Sequence, residues 1–287
     1  MALLHSVAML ASIPSPSSNS IGPLRAYGLM IGLGVLAAIE ICSRRWKARG
    51  GDPNDIWSIA VWAVPAGLIG SRLYHVITDW KTYFGDGGRP IEALYIWQGG
   101  LGIPGGILAG TAVGAYVAYR KGMRLPPALD CAAPAIPVAQ AIGRIGNYFN
   151  QEVFGRPTDL PWGLEIDPVH RPERYLDEAT FHPTFLYEGI WNLALAAFLI
   201  WFDRTRAVRP GNLFVMYIGG YALGRLWVES LRSDFASQIL GVRVNIWMSV
   251  LTIVGVGVVF AVRGFRRRDG DSDQPYRETE PSLPERR

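Results

Sequence analysis

The sequence is short of charge, of cysteine and of histidine, and each shortage closes off a class of chemistry. Only 18% of the 287 residues are Asp, Glu, Lys or Arg, below the roughly 25% usual in soluble domains. The two cysteines, Cys42 and Cys131, lie in separate apolar runs with no CxxC spacing, so they read as small apolar residues. His5, His75, His170 and His182 are scattered and form no HExxH, so no metal-ligand cluster is written in the sequence. A P-loop is missing too, and with it the common nucleotide-phosphate cradle. No G-x-S-x-G serine and no paired membrane aspartates occur, which leaves an intramembrane protease without its catalytic groups. The net charge of +4 is not a nucleic-acid signal, because the basic residues fall in short loops and a tail.

What is plentiful is apolar: 49% of the chain is hydrophobic, arranged in long runs between short basic clusters. A membrane span needs about 20 mostly apolar residues. Seven candidates meet that length, near 22–43, 55–77, 97–119, 126–149, 184–203, 211–231 and 244–263. The expected fold is therefore an all-α integral membrane protein, a bundle of about seven transmembrane helices with an outer-face loop region. Residues 1–21 are too broken by serine and proline to span and are expected as an arm lying on the membrane surface. The bundle is expected over 22–263, with the tail 264–287 charged and disordered.

Basic residues in short loops orient such a bundle. Arg44, Arg45, Lys47 and Arg49 follow the first span, and Arg120, Lys121 and Arg124 the third. Arg204, Arg206 and Arg209 follow the fifth, and Arg263, Arg266, Arg267 and Arg268 the last. Seven spans put all four clusters on one side, the cytoplasmic one. The N-terminus then lies outside and the C-terminus inside. The acidic 151–181 connection falls on the outer face; its length marks it as functional or self-structured.

The densest polar run is Gly143-Arg144-Ile145-Gly146-Asn147-Tyr148-Phe149-Asn150-Gln151-Glu152-Val153-Phe154-Gly155-Arg156, at the end of the fourth span. Asp130, Pro134, Pro137 and Gln140 precede it; proline removes backbone hydrogen bonds, so a kinked helix beside a cavity is expected. Gly99 to Gly106 holds a nominal GxGxxG, but no strand precedes it and Pro104 interrupts it, so it is no dinucleotide site. Gly106, Gly110 and Gly114 continue as a close-packing face for a neighbouring helix. Tyr27, beside Arg25, stands at the start of the first span as an interfacial anchor or a site residue. Arg72 is near the end of the second, where it snorkels or binds.

Arg225 and Glu229 are four apart on the sixth span and can pair. Pairing does not absorb the surplus of arginine. Arg72, Arg144, Arg156, Arg225 and Arg232 face mainly Glu152, Glu188 and Glu229. A charge at the bilayer centre costs roughly 2.5 kcal/mol or more, and an anionic partner offsets that. The anion native to a bilayer is a lipid phosphate, which arginine grips with two parallel hydrogen bonds. His182, before Pro183 at the start of the fifth span, caps the helix or carries a proton.

These segments resemble the bacterial prolipoprotein diacylglyceryl transferase family. The 143–156 run matches its G-R-x-G-N-x-x-N-x-E-x-x-G-R signature at every fixed position. His182 to Glu188 is similar to its H-P-x-x-L-Y-E segment, Arg25 to Gly28 to its R-x-Y-G, and Gly224 to Arg232 to its G-R-x-x-x-E-x-x-R. The likeness runs from about residue 20 to 263. It implies transfer of the diacylglyceryl group of phosphatidylglycerol to the lipobox cysteine thiol of a prolipoprotein, releasing glycerol phosphate, in the bacterial cytoplasmic membrane. It implies no metal and no organic cofactor. Tyr27, Arg144, Asn147, Glu152, Gly155, Arg225 and Glu229 occupy functionally important family positions. One position departs: many members have histidine where this chain has Pro104, so a base there is lost.

On this resemblance the nucleophile is the substrate's thiol and the phosphate leaves as a monoester. Arg144 and Arg225 are assigned to the phosphate, and Asn147 and Tyr27 to the headgroup or its ester oxygens. Glu229 holds Arg225, and Glu152 either orients an arginine or takes a proton. Asn150, Gly155, Arg156 and Arg72 complete the expected lipid site, and His182 is a candidate proton carrier. The competing reading is a non-enzymatic transporter of an anionic lipid or solute, which accounts for the arginines but not for the ordered motifs.

Overall fold

A computed structural model describes residues 12–22, 24–96, 99–232 and 237–277. The first eleven residues of the expected arm, the start of the third expected span and the last ten residues of the tail lie outside the described residues. The helices are α1 (Ala26–Ala48), α2 (Pro53–Thr78), α3 (Trp80–Phe84), α4 (Ile103–Arg120), α5 (Leu125–Ala132), α6 (Ala135–Phe149), α7 (Thr184–Thr205), α8 (Asn212–Glu229) and α9 (Val244–Arg263). Three two-residue antiparallel pairs punctuate them: β1 (Ser20–Ile21) with β2 (Leu24–Arg25), β3 (Leu164–Glu165) with β4 (Thr180–Phe181), and β5 (Gln238–Ile239) with β6 (Val242–Arg243).

Among the described residues, four helices, α1, α2, α7 and α9, are long and apolar enough to cross a membrane. The other expected spans are altered. Helices α4 and α8 have 18 residues each, a little under the usual span. The expected span 126–149 is two helices, α5 and α6, which part at Pro134. Pro137 is harmless, since it sits in the first turn of α6, where backbone N–H groups have no helical partner anyway. The outward faces are apolar: α9 buries only Ser249, while Val254, Val258 and Val262 are exposed. A helix greasy on its uncovered side is suited to lipid, not water.

The chain forms two compact units, one of residues 1–41 with 129–271, the other of 42–128 with 272–287. The second is built on the α2–α4 pair. A Cβ on Gly70 would lie 2.5 Å from the Gly105 carbonyl oxygen, and one on Gly106 2.2 Å from Ser71 Oγ. Gly110 and Gly114 face Ala63 in the same seam. The glycine stripe therefore does pack a neighbouring helix. The described end of the tail is held to this unit, against the expectation of disorder. Pro275 accepts the Arg124 N–H at 2.7 Å, Arg277 donates its N–H to Gly122 at 2.8 Å, and the Tyr276 hydroxyl donates to Asp55 at 2.7 Å.

In the first unit, Leu195, Leu199, Leu213 and Tyr217 form a core between α7 and α8. Asp130, 5% exposed, sits at the start of α8 and accepts the N–H groups of Gly211 at 2.7 Å and Phe214 at 3.0 Å. It thus neutralises unpaired donors of that helix. A second core gathers Phe154, Leu164, Ile166, Phe181 and Phe185, so the 151–181 connection is self-structured. Ile13 joins it by donating its N–H to Gly163 and accepting that of Glu165, both at 2.8 Å.

Candidate functional site

The 143–156 signature occupies the last turns of α6 and the bend beyond. Gln151 and Val153 have φ of 50° and 58°, a left-handed conformation uncommon outside glycine. Side chains hold it. Gln151 donates to Asp167 Oδ2 at 2.5 Å and accepts the Asp167 N–H at 2.8 Å. Thr184 donates to the Val153 carbonyl at 2.6 Å. These bonds turn the chain back so that Glu152 meets the helix it has just left. Its carboxylate accepts from Asn147 Nδ2 at 2.7 Å and from Asn150 Nδ2 at 3.3 Å. Asn147 in turn accepts from Arg144 Nη1 at 3.2 Å. Arg144, Asn147 and Glu152 are one hydrogen-bonded chain.

Gly155 and Arg156 act through their backbone. Gly155 donates to the His182 carbonyl at 2.8 Å, and Arg156 donates to Leu231 at 2.9 Å and accepts from His182 at 3.0 Å. A Cβ on Gly155 would lie 2.7 Å from the Leu231 carbonyl oxygen. Only glycine lets the three motif segments meet there. The Arg156 side chain is exposed.

The centre of the site is a buried lattice of arginine and glutamate. Both oxygens of Glu188 are engaged: Arg144 Nη2 pairs with one, Arg225 Nη1 lies 3.2 Å from the other, and Arg232 Nη1 is 4.0 Å from that same oxygen. Arg225 also pairs with Glu229 at 2.9 Å, and Glu229 takes Arg243 at 2.7 Å and Asn245 at 3.0 Å. Glu188 is 6% and Glu229 1% exposed. Such carboxylates are tolerable only because each is paired more than once. Among the described residues, Arg144, Arg225, Arg232 and Arg243 thus gather around Glu188 and Glu229.

Tyr27 enters from α1 over Gly146 and lies within electrostatic reach of Arg144 and Glu152. His182 stands at the edge, its Nδ1 3.3 Å from the Tyr187 hydroxyl. Burial pushes it below the ordinary imidazole value. Beside Arg144 opens a cleft of about 210 Å³ between α6 and α7, lined by Ala141, Ile145, Phe185, Leu186, Ile190 and Leu193.

The structure joins Arg144, Asn147, Asn150, Glu152, Arg225 and Glu229 directly and sets Tyr27 beside them. Arg72 belongs to the other unit, where it donates to the carbonyls of Glu92, Ala93, Gly99 and Gly100 and stacks on Tyr83. Within that unit its guanidinium group serves four backbone carbonyls. Pro104 lies in the first turn of α4. Sequence reasoning had Glu188 only as one of three carboxylates opposing the arginines, and missed Arg243 and Asn245. Those two reach Glu229 only through the β5–β6 turn, which the sequence pattern does not disclose.

Comparison with known proteins fits this arrangement. The family model for prolipoprotein diacylglyceryl transferase matches residues 16–262. The chain belongs to the prolipoprotein diacylglyceryl transferase family. It is 50% identical over 284 residues to the phosphatidylglycerol--prolipoprotein diacylglyceryl transferase of Rhodococcus jostii, covering 93% of this chain and 79% of that one. A Streptomyces coelicolor protein of that name, numbered 2, is 50% identical over 262 residues, covering 90% and 82%. One from Cutibacterium acnes is 49% identical over 268 residues, covering 92% and 90%. The prolipoprotein diacylglyceryl transferase match spans every element that supplies the arginine–glutamate lattice.

Proposed function

We propose that this chain transfers the diacylglyceryl group of phosphatidylglycerol to the lipobox cysteine thiol of a prolipoprotein, releasing glycerol phosphate. The observation that carries the reading is the convergence of Arg144 and Arg225 on one buried carboxylate beside an apolar cleft. An anionic headgroup fits the arginines, and an acyl chain fits the cleft.

The substrate thiol attacks the glycerol carbon that bears the phosphate ester. Charge builds on the departing phosphate, and guanidinium groups already fixed around it stabilise that charge more than the starting diester. Arg225 is held by Glu188 and Glu229 together. Arg144 is held by Asn147 and Glu188. Asn147 and Tyr27 are the neutral donors nearest the headgroup. Glu152 orients Asn147 and, through it, Arg144.

The membrane reading is a bundle of about seven spans in the bacterial cytoplasmic membrane. In it, α4, α8 and the α5–α6 pair join the four long helices. The alternation of basic clusters supports an outer N-terminus, a cytoplasmic C-terminus and a signature at the outer face. The test is to incubate the purified protein with phosphatidylglycerol and a lipobox peptide. A diacylglyceryl mass gain that disappears when the peptide cysteine is serine supports transfer. Movement of lipid with no mass gain makes the chain a transporter.

A further inference from the structure

Glu188 occupies the place the phosphate is read to take. Its two oxygens engage Arg144 and Arg225, the arginines assigned to the headgroup, with Arg232 at 4.0 Å. A phosphodiester that enters between those guanidinium groups displaces it. A buried carboxylate without its cations needs a proton or another cation. Two further observations bear on what happens next. A void of about 10 Å³ adjoins Glu188 and Arg225, roughly the space of one water-sized probe. Asn192, one helical turn on from Glu188 and 2% exposed, lines the same void, and its Oδ1 is buried with no hydrogen-bond partner among the described residues. An orphaned buried acceptor is costly. A protonated carboxyl group is the donor that would satisfy it.

We infer that Glu188 is the proton acceptor for the substrate thiol, held in reserve by Arg144 and Arg225 until the lipid phosphate takes them over. This rests on the transferase reading above. The thiol proton passes to the Glu188 carboxylate. The sulfur lone pair forms the S–C bond to the glycerol carbon. The C–O bond to phosphate breaks, and its electron pair leaves with the glycerol phosphate. Glu188, its hydroxyl donated to Asn192, then returns the proton to that phosphate monoester and pairs with its arginines again. No oxidant or co-reactant is needed, and the coupling ensures that a base is released only when lipid is bound. It also fills the role left open by Pro104.

The experiment compares wild type, Glu188→Gln, Glu188→Asp and Asn192→Leu in the peptide transfer assay, with binding of glycerol 1-phosphate followed by calorimetry. Around Glu188 stand Arg144 from α6, Arg225 from α8 and Arg232 beyond it, with Glu229 behind Arg225 and Tyr221 across the void. The arginines keep their charge at every pH used. For Glu188→Gln we expect turnover to fall roughly 100-fold or more, with no rise in KM for phosphatidylglycerol and tighter glycerol 1-phosphate binding, because the competing carboxylate is gone. Its rate should climb with pH towards the thiol's ordinary value of about 8.5, while the wild-type rate stays flatter. Glu188→Asp should retain partial turnover, and Asn192→Leu should lower turnover without changing KM. Weaker glycerol 1-phosphate binding together with an unchanged pH profile in Glu188→Gln would make Glu188 a merely structural clamp and overturn the inference. A wild type that gives no peptide mass gain would overturn the transferase reading itself.

Discussion

Gly146 lies directly under Tyr27: a Cβ at position 146 would come within 2.8 Å of the Tyr27 ring and 3.1 Å of its Cα. The first contact is with a ring and the second with backbone, so α1 itself has to move. Gly146→Ala gains up to about 1 kcal/mol of helix propensity, but overpacking costs about 1–3 kcal/mol. We expect a small net loss of thermal stability. Turnover should fall on the order of tenfold or more, because Tyr27 is pushed from Arg144 and Glu152. Thermal melting and the transfer assay check this together. Wild-type values in both would show that the close approach positions nothing.

Arg144→Lys tests the planar fork. One guanidinium nitrogen donates to Asn147 and another pairs with Glu188. An ammonium keeps the charge but not that two-pronged geometry. Turnover should drop about 100-fold, in the range found when a transition-state donor is removed. The melting profile should stay near wild type, since Glu188 retains Arg225. A lysine variant with normal turnover would take Arg144 out of the mechanism.

Much of this site was legible beforehand because its motifs are local. Arg144, Asn147 and Glu152 sit within one helical turn and a bend, so the spacing alone placed them together. Arg225 and Glu229 share a helix face by their separation of four, and the structure pairs them at 2.9 Å. Glu188 was visible as a residue but not as a hub. Its role arises from three arginines of other segments converging in space, and no periodicity records that. Arg72 donates to four carbonyls of its own unit, a set of partners that burial beside glycines does not disclose in the sequence. The kink expected from the prolines of 126–149 is sharper than sequence shows: the backbone stops one helix at Pro134 and starts another.

Asp130, which reads in the sequence as a polar residue on a cavity wall, is a cap supplied from another helix. Asp130→Ala leaves the Gly211 and Phe214 N–H groups without their acceptor at the start of α8. Loss of a cap costs typically about 1 kcal/mol and unsatisfied buried donors about 1–3 kcal/mol. A marked fall in melting temperature is expected, with Asp130→Asn intermediate because one acceptor oxygen remains. Activity at low temperature should be nearly retained, since Asp130 caps the start of α8 and Arg225 and Glu229 lie at its other end. A stable variant with lost turnover would instead assign it to the chemistry.

The bend that carries Glu152 depends on Asp167. Hydrogen bonds from Gln151 and then Ser15 hold its carboxyl below the ordinary carboxylate range. A group whose folded value is depressed stabilises the fold above its unfolded value and loses that contribution as the pH falls through the folded one. The bend should therefore be unaffected at neutral pH and loosen only below about pH 4. Asp167→Asn should loosen it at pH 7. Hydrogen exchange of the Gln151 and Asp167 amides reads this directly. Equal protection in the variant would show that the left-handed bend is held by Thr184 alone.

Gly189 tests the apolar cleft. It lies on α7 beside the slot of about 210 Å³, and a Cβ there would meet no atom within 4 Å. Larger side chains are therefore accepted by the fold, and they leave glycine's unfavourable helix propensity behind, worth up to about 1 kcal/mol. Gly189→Ala should melt at or above the wild-type temperature with nearly normal turnover. Gly189→Leu should fold equally well but fill the slot. Its KM for long-chain phosphatidylglycerol should rise several-fold, while a short-chain analogue is used as by wild type. If both chain lengths are affected alike, the cleft holds no acyl chain, and the lipid must reach Arg144 from a different side of the helix.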